Sequence, residues 1–199
     1  MKLLCTNCGQ EYPHTGLPFR CPRCGGIFDF EGGLPFDRSL VEPALPGIWR
    51  YRHTFGLDEG AAVISLGEGN TPLVWDRAFG QDVAFKLEFL NPSGSFKDRG
   101  TAPLMSFLCG RGATAALEDS SGNAGASFAA YAARAGLPAK VFVPESASGP
   151  KLRQIQAYGA EVIQTPGSRS DTAEAAIRAA EEGLASGEAA YGSHVYLPF

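Results

Sequence analysis

Apolar and polar positions repeat with two different periods along this chain. Val83, Phe85, Leu87 and Phe89 alternate with charged or small residues. That is the period of two of a half-exposed strand, and Gln81-Asp82 reads as the turn before it. Beyond Lys97 the period changes. Thr101, Leu104, Met105, Phe107 and Leu108 fall on one helical face, closed by Gly110 and Gly112. Ala115–Asp119 then reads as a strand and Ala126–Ala135 as a helix. Lys140–Val143 is a strand, Lys151–Tyr158 a helix closed by Gly159, and Glu161–Gln164 a strand. Ser170–Ser186 is a helix with Ala173, Ala176, Ile177 and Ala180 inward. Strands alternating with helices predict an α/β fold with an open parallel sheet and right-handed crossovers. Such sheets bind ligands at the carboxyl ends of their strands.

The first part of the chain has no such rhythm. Residues 31–62 mix Gly, Pro and acidic residues with scattered apolar ones, and read as a linker lying on the following domain. A short helix is expected near Trp49-Arg50-Tyr51, with Trp49 and Tyr51 as packing groups. Two glycines and a proline fix a tight loop over Leu66–Val74, and an apolar strand start follows. The expected division is a small module over 1–30, a linker and first part of the large domain over 31–80, and an α/β region over 81–199.

Composition adds limits. At 199 residues the chain can hold one substantial core plus a small module. Hydrophobic content of 44% and charged content of 19% are ordinary for a globular protein. A formal net charge of -4 gives no reason to expect nucleic acid as a partner. No apolar run approaches transmembrane length, and the N-terminus shows no signal-peptide pattern, so a cytoplasmic location is expected.

The cysteines change the picture. Cys5-Thr6-Asn7-Cys8-Gly9 and Cys21-Pro22-Arg23-Cys24-Gly25 are two C-x-x-C-G knuckles. The glycines free the backbone to turn, so that amides can point at the thiolates. Four thiolates at this spacing suit a tetrahedral, structural Zn²⁺ at Cys5, Cys8, Cys21 and Cys24. A segment this short cannot build its own core, so the metal would supply its folding energy. Paired disulfides are the rival reading, which a reducing cytoplasm disfavours. Cys109 reads as a small buried apolar residue.

Two further stretches carry chemistry. Asn91-Pro92-Ser93-Gly94 ends one apolar run, and Ser95 is expected to open a helix with Asp98 as its capping acid. Lys97 then falls at the positive end of the helix dipole, where the charged amine is disfavoured. A neutral amine attacks carbonyls, so Lys97 is a candidate Schiff-base lysine as well as a plain surface lysine. In Ser120-Ser121-Gly122-Asn123-Ala124-Gly125, small residues at a helix start leave its first amides reachable. That suits an anion as well as an ordinary cap. A carboxylate is expected there, since neither phosphate-loop pattern is present.

The stretch Asn91–Gly100 resembles the signature around the cofactor lysine of fold-type-II pyridoxal-phosphate enzymes, and is most similar to threonine synthases. Ser93 stands where that family usually has Thr, which keeps the hydroxyl. Gly67-Glu68-Gly69-Asn70-Thr71-Pro72-Leu73 resembles the family's G-E-G-N-T-P-L loop near the active site. The resemblance implies an enzyme of the carbon–oxygen lyase type. Lys97 would hold pyridoxal phosphate and act as base at the substrate α-carbon, and Asn123 would bond the phenolic oxygen of the cofactor ring. Ser120, Ser121, Gly122 and Ala124 would bind the substrate carboxylate. O-Phosphohomoserine and water would give threonine and phosphate. Ser146, Ser148 and Lys151, at the end of the next strand, are the candidates to hold the substrate phosphate. Asp98 and Arg99 are expected to hold the helix rather than transfer protons, and His14, His53 and His194 to be structural. A homodimer is one arrangement the resemblance allows.

Tyr191–Phe199 resembles an internal family segment, after which the family's chain continues into a long second half. The cofactor phosphate loop and the group facing the pyridine nitrogen belong to that half. The sheet is therefore expected to be incomplete at its C-terminal side, with apolar surface and strand edges exposed. The isolated chain is expected to bind cofactor poorly and turn over nothing. Three alternatives stand beside this reading. One is the same fold with another substrate, as in cysteate synthase or a serine/threonine dehydratase. The others are a non-catalytic module and a zinc-ribbon nucleic-acid binder.

Overall fold

Beta-branched and aromatic residues in short apolar runs build the central layer of the computed structural model, which describes residues 2–32, 36–58, 60–186 and 189–199. Strands β5 (Ala116–Glu118), β6 (Ala139–Pro144), β7 (Glu161–Thr165) and β8 (Ala190–Tyr191) form a parallel sheet in the order β7-β6-β5-β8. Before it come two antiparallel hairpins, β1 (Leu3–Cys5) with β2 (Phe28–Phe30), and β3 (Leu73–Ala78) with β4 (Gln81–Lys86). The helices are α1 (Asp98–Gly110), α2 (Asn123–Ala135), α3 (Pro150–Ala157) and α4 (Arg169–Ser186).

Side-chain alternation along each strand assigns the layers. Val141 and Val143 face a core shared with α1, α2 and α3, whereas Phe142 between them faces α4. Likewise Ala116 lies on the α1–α2 side and Leu117 on the α4 side. Ala176 and Ala180 of α4 are fully buried, while Ala173 and Ile177 are half-buried. Their small size lets the helix approach the sheet.

The order places the site. From β5 the chain steps outward to β6 and β7, then returns to the other side of β5 for β8. Ligands of open α/β sheets bind at such a reversal, outside the carboxyl ends of the strands. The carboxyl end of β5 runs straight into Asp119 and Ser120.

Several expected boundaries move. Gln81-Asp82 is not a turn but the start of β4, and the hairpin reverses at Phe79-Gly80. Both of those residues have positive φ, 55° and 76°, as a tight two-residue hairpin loop requires. The strand ends at Lys86, and Glu88–Leu90 is a 3₁₀ turn. Helix α2 begins at Asn123, three residues earlier than expected. The short helix near Trp49 is 3₁₀, and Gly47–Thr54 holds two such turns meeting at a kink at Tyr51. Trp49 is buried there, while Tyr51 is 39% exposed. Strand β8 had no periodic signal because it is two residues long. Among the described residues no helix is long and apolar enough to cross a membrane.

Candidate active site

Lys97 stands on a short 3₁₀ lead-in rather than inside the first helical turn. The amides of Asp98, Arg99 and Gly100 donate to the carbonyls of Ser95, Phe96 and Lys97, and the regular helix starts at Asp98. The expected cap of Ser95 by Asp98 is not formed. The Asp98 carboxylate is fully buried, and accepts from the Ser93 amide at 2.7 Å, from the Ser93 hydroxyl, and from the Ser127 hydroxyl at 2.6 Å. Ser93 and Ser127 outcompete Ser95 because they approach from inside the core. The Ser95 hydroxyl is left buried with no hydrogen-bond partner among the described residues. Lys97 itself is half-buried, with Nζ 5.3 Å from the Phe96 ring centroid.

The bond from Ser127 to Asp98 fixes where Lys97 lies relative to Asn123. Ser127 is one turn past Asn123 on α2, and Asp98 follows Lys97 on α1. Ser127 also lies 2.8 Å from the Thr101 hydroxyl. The first turns of α1 and α2 are thus bonded together, and their amino ends open side by side. Gly125 permits the tight entry into α2, since a Cβ there would sit 1.8 Å from the Ser120 carbonyl oxygen. Asn123 is exposed, and Ser120, Ser121, Gly122 and Ala124 are half-buried around it. Within the loop the Ser120 amide donates to Glu118 Oε2 at 2.6 Å, and the Gly122 amide donates to Ser120 Oγ at 3.2 Å.

A second network bonds the loop at Gly67–Pro72 to the lysine segment. Arg99 donates from Nε and Nη2 to the two oxygens of Glu88, each at 2.8 Å, and to Thr71 Oγ1 at 3.1 Å. The Thr71 hydroxyl donates to Glu88, and the Gly69 amide donates to Asn91 Oδ1. The Arg99 guanidinium holds the Glu88 carboxyl down at about 2. Glu68, fully buried, anchors the other side of the loop. It accepts from the Trp49 indole, the Ser65 hydroxyl, the Leu66 amide and the Tyr131 hydroxyl of α2. Arg99 and Asp98 therefore hold the surroundings of Lys97, as their positions in the sequence suggest.

Lys151 lies at the start of α3 against the Ser93-Gly94 turn. Its Nζ donates to Gln154 Oε1 at 3.0 Å and is 3.4 Å from the Ser93 carbonyl, which also accepts from Gln154 Nε2 at 2.9 Å. Ser146 and Ser148 are exposed. Lys151 is thus beside the lysine segment, and the two serines are not bonded to it.

Some residues at this site had no sequence signal. His194 is half-buried beside the first turn of α1, its Nδ1 donating to the Phe199 carbonyl at 3.0 Å and its Nε2 3.4 Å from the Thr101 hydroxyl. Burial and the nearby charge of Lys97 push its pKa down. Glu118 is buried at the end of β5, and burial together with the adjacent Asp119 raises its carboxyl to about 8. A charged pair closing a buried apolar strand was the available clue for Glu118 and Asp119. Nothing in the pattern pointed to His194.

The cysteine cluster is a separate centre. The Sγ atoms of Cys5, Cys8, Cys21 and Cys24 all lie within 4.8 Å of one another, with Cys5–Cys24 at 3.5 Å and Cys8–Cys21 at 3.7 Å. These separations are far beyond a disulfide bond. They match the edge of a tetrahedron of thiolates about 2.3 Å from a zinc ion, which is roughly 3.8 Å. The Gly26 amide and the Asn7 side chain hold the Cys24 thiol down at about 6, as expected of knuckle amides aimed at thiolates. Behind the cluster Tyr12 packs edge-on against Phe28 and against Phe107 of α1.

The residues present fit a pyridoxal-type cofactor. A half-buried amine, an exposed amide side chain and an unpartnered buried hydroxyl lie at the starts of α1 and α2, which the Asp98–Ser127 bond joins. Comparison with known proteins agrees. A family model described as "Pyridoxal-phosphate dependent enzyme" matches residues 64–198. Threonine synthase of Methanocaldococcus jannaschii is 34% identical over 90% of this chain and 47% of its own length. That of Mycobacterium leprae is 40% identical over 73% of this chain and 42% of its own. Among solved structures, a hydrogen sulfide-producing enzyme from Fusobacterium nucleatum superposes with a TM-score of 0.54 at 30% identity, over 63% of this chain and 43% of its own. The chain spans about half the length of the curated relatives it matches.

Proposed function

Because the chain belongs to the pyridoxal-phosphate dependent enzymes, we propose that it is the amino-terminal part of a threonine synthase, which converts O-phosphohomoserine and water to threonine and phosphate. The observation that carries this reading is the bond between Asp98 and Ser127, which sets the mouth of the Lys97 helix beside that of the Asn123 helix. Pyridoxal phosphate, when bound, supplies an electron sink for chemistry at the substrate α-carbon. Lys97 would hold the cofactor and would serve as base for the substrate α-proton. Asn123 orients the ring through its phenolic oxygen. The loop of Ser120, Ser121, Gly122 and Ala124 takes the substrate carboxylate, and Lys151 the substrate phosphate. Zn²⁺ at Cys5, Cys8, Cys21 and Cys24 braces the small module over 1–30 against α1. The linker and first part of the large domain cover 31–80, and the α/β region 81–199. A reducing cytoplasm suits a chain whose five cysteines are all free of disulfides.

The remaining half of the site comes from the portion of the relatives that this chain does not span. The hairpin β3–β4 offers surface for it. Trp75 is 68% exposed and Phe79 95% exposed, on a two-stranded ribbon whose outer edges are unpaired among the described residues.

A chimera tests the reading. Residues 1–199 would replace the matching portion of the Methanocaldococcus jannaschii threonine synthase, with phosphate release from O-phosphohomoserine and threonine formation measured. Both are expected, and both should vanish in Lys97→Ala. A folded, cofactor-loaded chimera that forms cysteate or deaminates serine instead would overturn the substrate assignment. Lys151→Ala should raise the KM for O-phosphohomoserine more than it lowers kcat, and unchanged kinetics would remove Lys151 from the phosphate site. The 199-residue chain alone should release no phosphate.

A further inference from the structure

Four charged or titratable side chains cluster under the Ser120–Asn123 loop, and the proposed reaction uses none of them. Glu118 and Asp119 are each 4% exposed at the end of β5. Arg169, the first residue of α4, donates from Nη1 to Asp119 Oδ2 at 2.6 Å. The Tyr191 hydroxyl, from β8, bonds the same carboxylate. Asp119 is therefore a paired charge. Glu118 is different. Among the described residues, the one hydrogen bond at its carboxyl is from the Ser120 amide to Oε2, at 2.6 Å. By strand alternation Glu118 shares the face of Ala116, the face turned to α1 and α2.

That bond decides which amides of the loop are available. The Ser120 amide is turned into the protein, and the Ser120 hydroxyl is taken by the Gly122 amide. The first-turn amides of α2, those of Asn123 and Ala124 among them, have no partner within the helix. We propose that Glu118 is a positioning residue: its carboxyl holds the Ser120 amide down at the end of β5, and so leaves the opening amides of α2 as the seat for the substrate carboxylate. This rests on the reading of the loop as a carboxylate site.

A charge requirement follows. A negative charge buried directly beneath a carboxylate seat repels the ligand, so Glu118 has to be neutral for binding. Burial and the charge of Asp119 favour the neutral form, while the Ser120 amide and the charges of Arg169 and Lys97 oppose it. With the carboxyl raised to about 8, the acid is neutral below that pH and charged above it. Asp119, by contrast, is bonded to Arg169 and Tyr191.

Two measurements on the 199-residue chain test this. Hydrogen exchange at the Ser120 amide should be at least 10-fold faster in Glu118→Ala, and within about 2-fold of wild type in Glu118→Gln, which keeps the accepting oxygen. Unaltered protection in Glu118→Ala, or no rescue in Glu118→Gln, would overturn the positioning role. If Glu118→Ala does not fold, the Glu118→Gln comparison and a ¹³C titration of the wild-type Glu118 carboxyl decide. A midpoint near 8 supports the proposal, and one in the ordinary carboxylate range overturns it. For the seat, acetate serves as a bare carboxylate that needs neither cofactor nor second half. It should shift the Asn123 and Ala124 amide resonances, with an affinity that falls as pH rises through about 8 in wild type and stays level in Glu118→Gln. Acetate binding with the same pH profile in both proteins would sink the charge requirement. No shift at either amide, with Ser120 behaving as expected, would sink the carboxylate reading of the loop and leave the hold on Ser120 standing.

Discussion

Residues 64–72 and 88–101 are bonded to each other and to the core through Glu68, Thr71, Glu88, Asn91 and Arg99. The hairpin between them in sequence, β3–β4, is bonded mainly to itself, and none of its residues belongs to either buried core cluster. One region is built of polar groups and is tightly tied. The other carries Leu73, Val74, Trp75 and Phe85 and stands in solvent. Apolar content alone therefore does not locate the core of this chain. Buried hydrogen-bonded charges place the site, and exposed apolar strands mark where more protein is needed.

Perturbing the tied region should cost most. Glu68→Ala strips the partner from the Trp49 indole, the Tyr131 hydroxyl and the Leu66 amide, all in the interior. A loss of about 3–5 kcal/mol is expected from chemical denaturation. A loss under about 1 kcal/mol would show that the loop is not held by this carboxylate.

Glu118 should act in the opposite sense, and with pH. Its folded pKa, about 8, is raised above the unfolded value. Between the ordinary carboxylate range and about 8, the unfolded chain releases a proton that the folded chain keeps, so folding loses stability as pH rises through that window. Below the window both states are protonated and the penalty is absent. Glu118→Gln should therefore be more stable than wild type at pH 8, by about 4 kcal/mol, with the difference shrinking towards pH 4. Denaturation midpoints across pH check this.

Arg99→Ala is next in size. Its pair with Glu88 is partly exposed, so about 1–2 kcal/mol is expected after solvent screening. The sign follows from the Glu88 carboxyl being held down at about 2. The stabilisation is present above the unfolded carboxylate value and fades as pH falls through about 2, so an acid titration of the variant should lose that component. The smallest effect belongs to the hairpin. Trp75→Ser with Phe79→Ser should change stability by less than about 0.5 kcal/mol, while sedimentation shows reduced self-association. A large destabilisation would mean that the hairpin is packed after all.

The same contrast explains what could be read from the sequence. The alternation after Lys97 predicted the α/β layers, because small and apolar residues at fixed periods have few other arrangements. The fold-type-II resemblance predicted the family to which the chain belongs. Cap chemistry was less legible. Ser95 and Asp98 have the spacing of a capping box, but Ser93 and Ser127 approach the same carboxylate from the core, and local spacing carries no record of that. Polarity marks Gln81-Asp82 as the turn, whereas the reversal uses the positive φ of Phe79 and Gly80. Glu68 read only as part of a loop, and its donors come from residues 19 and 63 positions away. His194 reaches α1 by a return of the chain that has no periodic signature.

The central claim is that Lys97, at its helix mouth, is the amine that meets pyridoxal phosphate. The 199-residue chain can be incubated with pyridoxal phosphate, reduced with borohydride and mapped by peptide mass spectrometry, which scores every lysine in one sample. Label is expected to concentrate on Lys97, ahead of Lys2, Lys86, Lys140 and Lys151, with no compensating rise elsewhere in Lys97→Arg. Label spread evenly, or heavier on exposed Lys140 than on Lys97, would contradict it.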